Sequence, residues 1–222
     1  MIAENLHKVL STIQPGIRLV AVSKFHPVSA LQEAYDAGQR VFGESHVQEL
    51  VEKQQLLPKD IEWHFIGHLQ TNKVKYMASF ISLIHAVDTV KLLKEIDKQA
   101  ERNFRVIDCL LQIHIAKEET KFGFTPDELR TMLQEGEWRQ FSHVRICGLM
   151  CMASNTDDVK QIAGEFETVH TLFQEIKNDF FPTEESFKEL SMGMSGDYEI
   201  AQQHGSTMVR VGTMIFGERN YG

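Results

Sequence analysis

Lys24 closes the first strongly apolar stretch of the chain, residues 17–24 (Ile-Arg-Leu-Val-Ala-Val-Ser-Lys), and is followed at once by Phe25, His26 and Pro27. A run rich in branched apolar residues reads as a buried strand, and a lysine at its C-terminal end sits where the strand opens onto the rim of a barrel or sheet. Barrel active sites are built at that end. An amine held against an apolar strand end is partly desolvated, which favours its neutral form and lets it condense with an aldehyde. The plainer reading is a surface lysine at a strand-to-loop junction.

Two loops rich in small residues follow the last two strand-like runs. One is residues 191–197 (Ser-Met-Gly-Met-Ser-Gly-Asp) and the other lies within Gly205 to Thr213. In a parallel barrel the loops after the seventh and eighth strands commonly bind phosphate through backbone N–H groups, hydroxyls and a helix N-terminus. Ser195 and Gly196 are placed to open a helix at Asp197, and Gly212 and Thr213 bring backbone and hydroxyl donors from the neighbouring loop. Such donors suit a phosphate monoester. Read separately, either loop is also explained by turns and caps alone. Arg210 ends or nearly ends the eighth strand. Directed into the barrel mouth it only donates hydrogen bonds, because it keeps its proton; directed outward, its stem packs on a neighbouring helix.

The histidines carry a rival chemistry. His64 and His68, with His85 and His114 on other strand-like runs, have the ligand types of a zinc site in a metal-dependent hydrolase. They lack the spacing of a strong motif, and no strand-borne His-x-His pair occurs.

The elements that must position these residues alternate throughout. Strands are expected at 18–23, 40–42, 62–66, 81–85, 106–115, 144–149, 189–191 and 208–211, eight in all. Helices are expected at 2–13, 28–37, 46–56, 70–78, 89–102, 126–134, 158–178 and 196–204. Several carry start signals, such as Asp88 with Thr89, and Thr125 before Pro126. Eight βα units with no Pro-rich or Gly/Ser-rich linker argue for one (β/α)₈ TIM-type barrel spanning residues 1–222 as a single domain, with a doubly wound open sheet as the other architecture of the same pattern.

Composition bounds the partners. The chain has 222 residues, 42% hydrophobic and 24% charged, enough for one sizeable core. No apolar run has the length of a membrane span and the N-terminus has no signal-peptide pattern, so a cytoplasmic location is expected. A formal charge of -8 gives no footprint for a polyanion, and no nucleic acid is expected. Cys109, Cys147 and Cys151 are odd in number and lie in strand-like segments, which favours buried, reduced thiols.

Taken together, the stretches 21–24 (Ala-Val-Ser-Lys), 42–44 (Phe-Gly-Glu), 63–67 (Trp-His-Phe-Ile-Gly), 69–73 (Leu-Gln-Thr-Asn-Lys), 148–150 (Gly-Leu-Met), Ser191 to Ser195 and Gly205 to Arg219 resemble the pyridoxal phosphate (PLP) homeostasis proteins of the YggS/PROSC type. These are similar to the barrel domain of alanine racemase, a PLP fold type III barrel. The resemblance implies that Lys24 forms a Schiff base with PLP, that Ser195, Gly212 and Thr213 surround its phosphate, that Arg210 faces the pyridine nitrogen, and that Met194 lines the same site. A donor that keeps its proton favours an unprotonated pyridine, which makes the cofactor a poorer electron sink.

Some positions depart from the family pattern. Ser45 and His46 stand where Asn-Tyr is common, which puts a contact from that asparagine to the cofactor in doubt, while His68 replaces a common proline and His114 a common asparagine. The resemblance implies a PLP-binding protein without established catalytic turnover, acting in vitamin B6 and amino-acid homeostasis by PLP storage or transfer. Its expected partners are PLP and PLP-dependent apoenzymes, and a monomer is expected. The alternative is a PLP-dependent amino-acid racemase. That reaction needs an acid/base group on each face of the cofactor; Lys24 supplies one, and the sequence stops at Gly222 without a second domain to bring the other.

Overall fold

A computed structural model describes residues 1–118 and 122–218; Arg219, the last residue of the Gly205 to Arg219 stretch, lies outside the described residues. Eight parallel strands close into a barrel in chain order: β1 (Arg18–Val22), β2 (Val41–Glu44), β3 (Glu62–Phe65), β4 (Leu83–Val87), β5 (Ile107–Ile113), β6 (Val144–Cys151), β7 (Glu189–Ser191) and β8 (Met208–Val211). β8 returns to pair with β1, with Val20 opposite Arg210 and Ala21 opposite Val211. That closing register sets the last two loops beside the end of β1, and so beside Lys24.

The strands read as apolar runs because both their faces are covered. Val20, Leu83, Leu110, Cys147, Met150 and Met208 form one buried cluster, and residues of the other parity, such as Leu19, Ala21, Phe42, Trp63 and Phe65, join the larger core shared with the helices. Each large apolar side chain so buried contributes about 1.5–3 kcal/mol before entropy is counted.

Among the described residues, seven α-helices of six or more residues surround the barrel: α1 (Ile2–Thr12), α2 (Val28–Asp36), α3 (Val47–Leu56), α4 (Val90–Arg102), α5 (Pro126–Glu135), α6 (Val159–Phe180) and α7 (Tyr198–Gln203). In α6 the buried residues Ile162, Phe166, Val169, Phe173 and Ile176 recur at three- and four-residue spacing, so one stripe faces the core. Start signals act as expected. Thr125 and Glu128 exchange the two hydrogen bonds of a capping box ahead of Pro126, and Thr89 caps α4 by accepting from the Leu92 N–H.

Differences from the expected boundaries have local causes. The helix expected over 70–78 is a 3₁₀ helix, Thr71–Tyr76, with Val74 its one buried residue, too small an apolar stripe to anchor a longer α-helix. β4 begins at Leu83 because the Ile81 N–H is still bonded to the Met77 carbonyl at 2.9 Å. The seventh helix starts at Tyr198, since an Asp197 carboxylate oxygen accepts from the Met194 N–H at 2.6 Å and holds residues 195–197 in a turn. A last helix, α8 (Thr213–Phe216), was not legible in the sequence, because four residues carry no periodicity.

Candidate functional site

Lys24 lies in the turn just beyond β1, half-buried, between two residues whose backbones are tied down. The Ser23 hydroxyl donates to Glu44 Oε1 at 2.6 Å. The Lys53 ammonium spends its three donors on the Ser23 carbonyl (2.7 Å), Glu44 Oε1 (2.7 Å) and Glu49 Oε1 (2.6 Å). The same Glu49 oxygen accepts from the Phe25 N–H at 2.6 Å. Phe25 has φ of 65°, a left-handed conformation that costs a bulky residue about 1–2 kcal/mol and persists only where its surroundings hold it.

Burial pushes the Glu44 carboxyl up to about 7, against the opposing pull of the Lys53 ammonium. Its second oxygen is buried and has no hydrogen-bond partner among the described residues. Sequence reasoning missed this cluster. The one signal for it was Glu49 and Lys53 at i, i+4 on a polar helix, which is indistinguishable from a surface ion pair.

On β8, the strand paired with β1, Arg210 is directed inward and is 3% exposed. Its guanidinium donates to Ser191 Oγ and to the Cys151 carbonyl, the latter at 2.8 Å, and burial pulls its pKa down from the ordinary arginine value. Ser191 Oγ is 3.0 Å from His85 Nδ1, and His85 Nε2 is 2.9 Å from His64 Nδ1. Burial drives His64 down to about 3 and His85 well below the ordinary histidine value, so both rings are neutral. The chain of contacts ends at His64, which lines a cavity of about 440 Å³ at the N-terminal end of the barrel with Arg18, Glu62, Asp108 and Arg145.

The two small-residue loops meet. Gly212 N–H donates to Ser195 Oγ at 3.3 Å. An added Cβ at Gly212 would sit 2.9 Å from the Val22 carbonyl, so only glycine allows β8 to come this close to β1 at that level. Gly193 has φ of +99°, and a Cβ there would lie 2.7 Å from that of Ala201. Met194 is exposed at the same rim, and Thr213 begins α8, whose Ile215 and Phe216 N–H groups both bond the Gly212 carbonyl. Lys24, Met194, Ser195, Arg210, Gly212 and Thr213 are thus contributed by β1, β8 and the β7 loop, neighbouring elements around the barrel. An amine, a buried cation and a hydroxyl-and-amide cradle suit a phosphorylated aromatic aldehyde.

The other residues considered for chemistry have contacts of their own. Ser45 runs against Gly67, and His46 packs on the Phe25 ring with centroids 5.0 Å apart. His68 pairs with Asp88 at 3.2 Å and stacks on Phe122, while the His114 N–H bonds the Phe124 carbonyl. Among the described residues no group of three or more His, Cys, Asp or Glu side chains is placed to hold a metal ion. The three cysteines are buried thiols, none of them in a disulfide.

A parallel eight-stranded barrel with a lysine at the end of β1 and small-residue loops after β7 and β8 defines the class of the alanine racemase N-terminal domain, and that domain's family model matches residues 1–220. The alanine racemase of Clostridium difficile shares the fold, with a TM-score of 0.79 at 14% identity over 99% of this chain and 57% of that one. Within the class, the chain belongs to the family of pyridoxal phosphate homeostasis proteins. It is 36% identical to the one from Aquifex aeolicus over 98% of each chain, and 39% identical to that of Haemophilus influenzae over 94% of this chain and 87% of the relative. Structures of PipY from Synechococcus elongatus, 37% identical, match 98% of this chain and all of theirs, with TM-scores of 0.91 without PLP and 0.88 with PLP bound.

Proposed function

We propose that this chain binds PLP in the barrel mouth, covalently through the Lys24 amine, and keeps it available for intracellular vitamin B6 and amino-acid homeostasis by storage or transfer. The observation that carries this reading is the meeting of the Ser195 and Gly212 loops beside the end of β1, next to a lysine with clamped neighbours. When bound, PLP supplies an aldehyde for reversible attachment and a pyridine ring that withdraws electrons strongly only when its nitrogen is protonated. Ser195, Gly212 and Thr213 hold the phosphate, Met194 covers the site, and Arg210 donates to the pyridine nitrogen.

Arg210 separates this reading from catalysis. A carboxylate facing that nitrogen would stabilise its protonated form, whereas a guanidinium holds its own proton and leaves the nitrogen neutral. Removal of an α-proton is thereby weakly assisted, and attachment and release of the aldehyde are unaffected. The protein acts without turnover, as a single-domain monomer in the cytoplasm. PipY with PLP bound and the names of the relatives support the binding role. The test is reactivation of a PLP-dependent apoenzyme by the loaded protein in the presence of a trap for free PLP, alongside α-deuterium exchange on a panel of amino acids. Reactivation with negligible exchange is expected; robust exchange with enantiomer conversion, both abolished by Lys24→Ala, would establish a racemase instead.

A further inference from the structure

We infer that Glu49 and Lys53 are positioning residues for Lys24: from α3 they grip the backbone on both sides of it and so hold its amine in place before any aldehyde arrives. The inference rests on the reading that Lys24 is the reactive amine. Ser23 and Phe25 flank Lys24 directly. The first gives its carbonyl to the Lys53 ammonium, and the second gives its N–H to the Glu49 carboxylate; Glu49 and Lys53 are themselves paired at 2.6 Å. Both grips come from one turn of one helix, so Lys24 is fixed relative to α3 as well as to β1.

The grip is needed because the turn is unfavourable by itself. Phe25 adopts φ of 65°, a conformation that bulky residues leave when nothing holds them. Beyond the Glu49 contact, the Phe25 ring packs on His46 at the start of α3. Glu44 completes the arrangement by accepting from both Ser23 and Lys53 at Oε1, which anchors the ammonium to the end of β2. Released, Phe25 would relax to negative φ and Lys24 would sample many directions, so fewer encounters would be productive. Attachment forms the nitrogen–carbon bond and expels the carbonyl oxygen with both amine hydrogens as water; the clamp takes no part in that exchange of atoms. It sets how often the amine is in position.

The test compares Glu49→Ala, which removes the acceptor, with Glu49→Gln, whose side-chain carbonyl still accepts from Phe25. Glu49 is partly exposed, and in Glu49→Ala the buried Lys53 ammonium keeps the Ser23 carbonyl and Glu44 Oε1 as acceptors. In the cofactor-free protein, hydrogen exchange at the Phe25 amide should rise about tenfold or more in Glu49→Ala and stay near wild type in Glu49→Gln. On adding PLP, the rate of borohydride-trapped attachment at Lys24 should fall about tenfold in Glu49→Ala, with noncovalently retained PLP unchanged, and recover in Glu49→Gln. Lys53→Met, which keeps the stem and removes the ammonium, releases the Ser23 carbonyl and unpairs Glu49, and should also slow attachment at Lys24, a second route should Glu49→Ala fail to fold. Wild-type attachment rates with a freely exchanging Phe25 amide would overturn the inference. Peptide mapping separates the two readings: an adduct on another lysine in the wild-type protein defeats the assignment of Lys24, whereas the amide exchange reports the clamp alone.

Discussion

His64 Nδ1 and His85 Nε2 lie 2.9 Å apart inside the barrel, and the pair is joined through Ser191 to Arg210. Arg210 can only donate, so Ser191 Oγ accepts from it, and the arrangement that also uses the Ser191 proton turns it toward His85 Nδ1. His85 then carries its proton on Nε2 and donates to His64 Nδ1, which leaves the His64 proton on Nε2. An arginine is in this way tied through three side chains to the opposite end of the barrel.

The first prediction follows from that order. Nitrogen-15 NMR at pH 7 should show two neutral, Nε2-protonated rings for His64 and His85, and both should stay neutral at pH 5. Folded His64 titrates near 3 against 6.5 for the free side chain, so below about 6.5 the unfolded state takes up more protons. This pair's contribution to stability is therefore full above 6.5 and declines as pH falls toward 3. Urea unfolding at pH 7 and pH 5 measures it, and replacing His64 by Gln should flatten the difference.

Glu44 has the opposite sign. Its folded pKa is raised from 4.5 to about 7, so the folded state holds the extra proton in between, and its contribution to stability is full below 4.5 and lost as pH rises through 7. Glu44→Gln, which does not ionise, should gain stability relative to wild type between pH 5 and 8. Melting temperatures of the two proteins across that range check the sign.

The phosphate donors should add affinity independently of the covalent link. Ser195→Ala or Thr213→Ala removes a hydroxyl donor to a charged acceptor, a loss of about 1.5–3 kcal/mol in PLP affinity. Dialysis after loading reads it as faster loss of cofactor. Unchanged retention in both variants would place the phosphate elsewhere.

Gly193 makes a separate, purely structural prediction. With φ of +99° and Ala201 Cβ 2.7 Å from any added Cβ, Gly193→Ala combines backbone strain with a clash against α7. Such sites cost about 1–3 kcal/mol, and the melting temperature should fall accordingly.

The barrel was legible because eight apolar runs alternate with amphipathic helices, and β1, β7 and β8 fall within a residue of their expected bounds. Lys24 and Arg210 stood out for the same reason, each a polar residue at or near the end of an apolar run. The grip of Glu49 and Lys53 was not. Its partners are backbone atoms of Ser23 and Phe25, and a backbone acceptor or a positive φ at a phenylalanine leaves no mark in residue types. The His64 to Arg210 chain was hidden differently. The histidines were visible, but reading them as ligands required knowing whether their nitrogens faced a shared point, and the structure turns two of them toward each other.

The central claim is that Lys24 carries the cofactor, and it is tested most directly by loading the wild-type protein with PLP, reducing with borohydride and mapping the modified peptide by mass spectrometry. The adduct is expected on Lys24, with Lys24→Ala losing both the adduct and the visible absorption band while still retaining some PLP through the Ser195 and Gly212 loops. A reduced adduct on any other lysine of the wild-type protein, or none at all, would contradict the account.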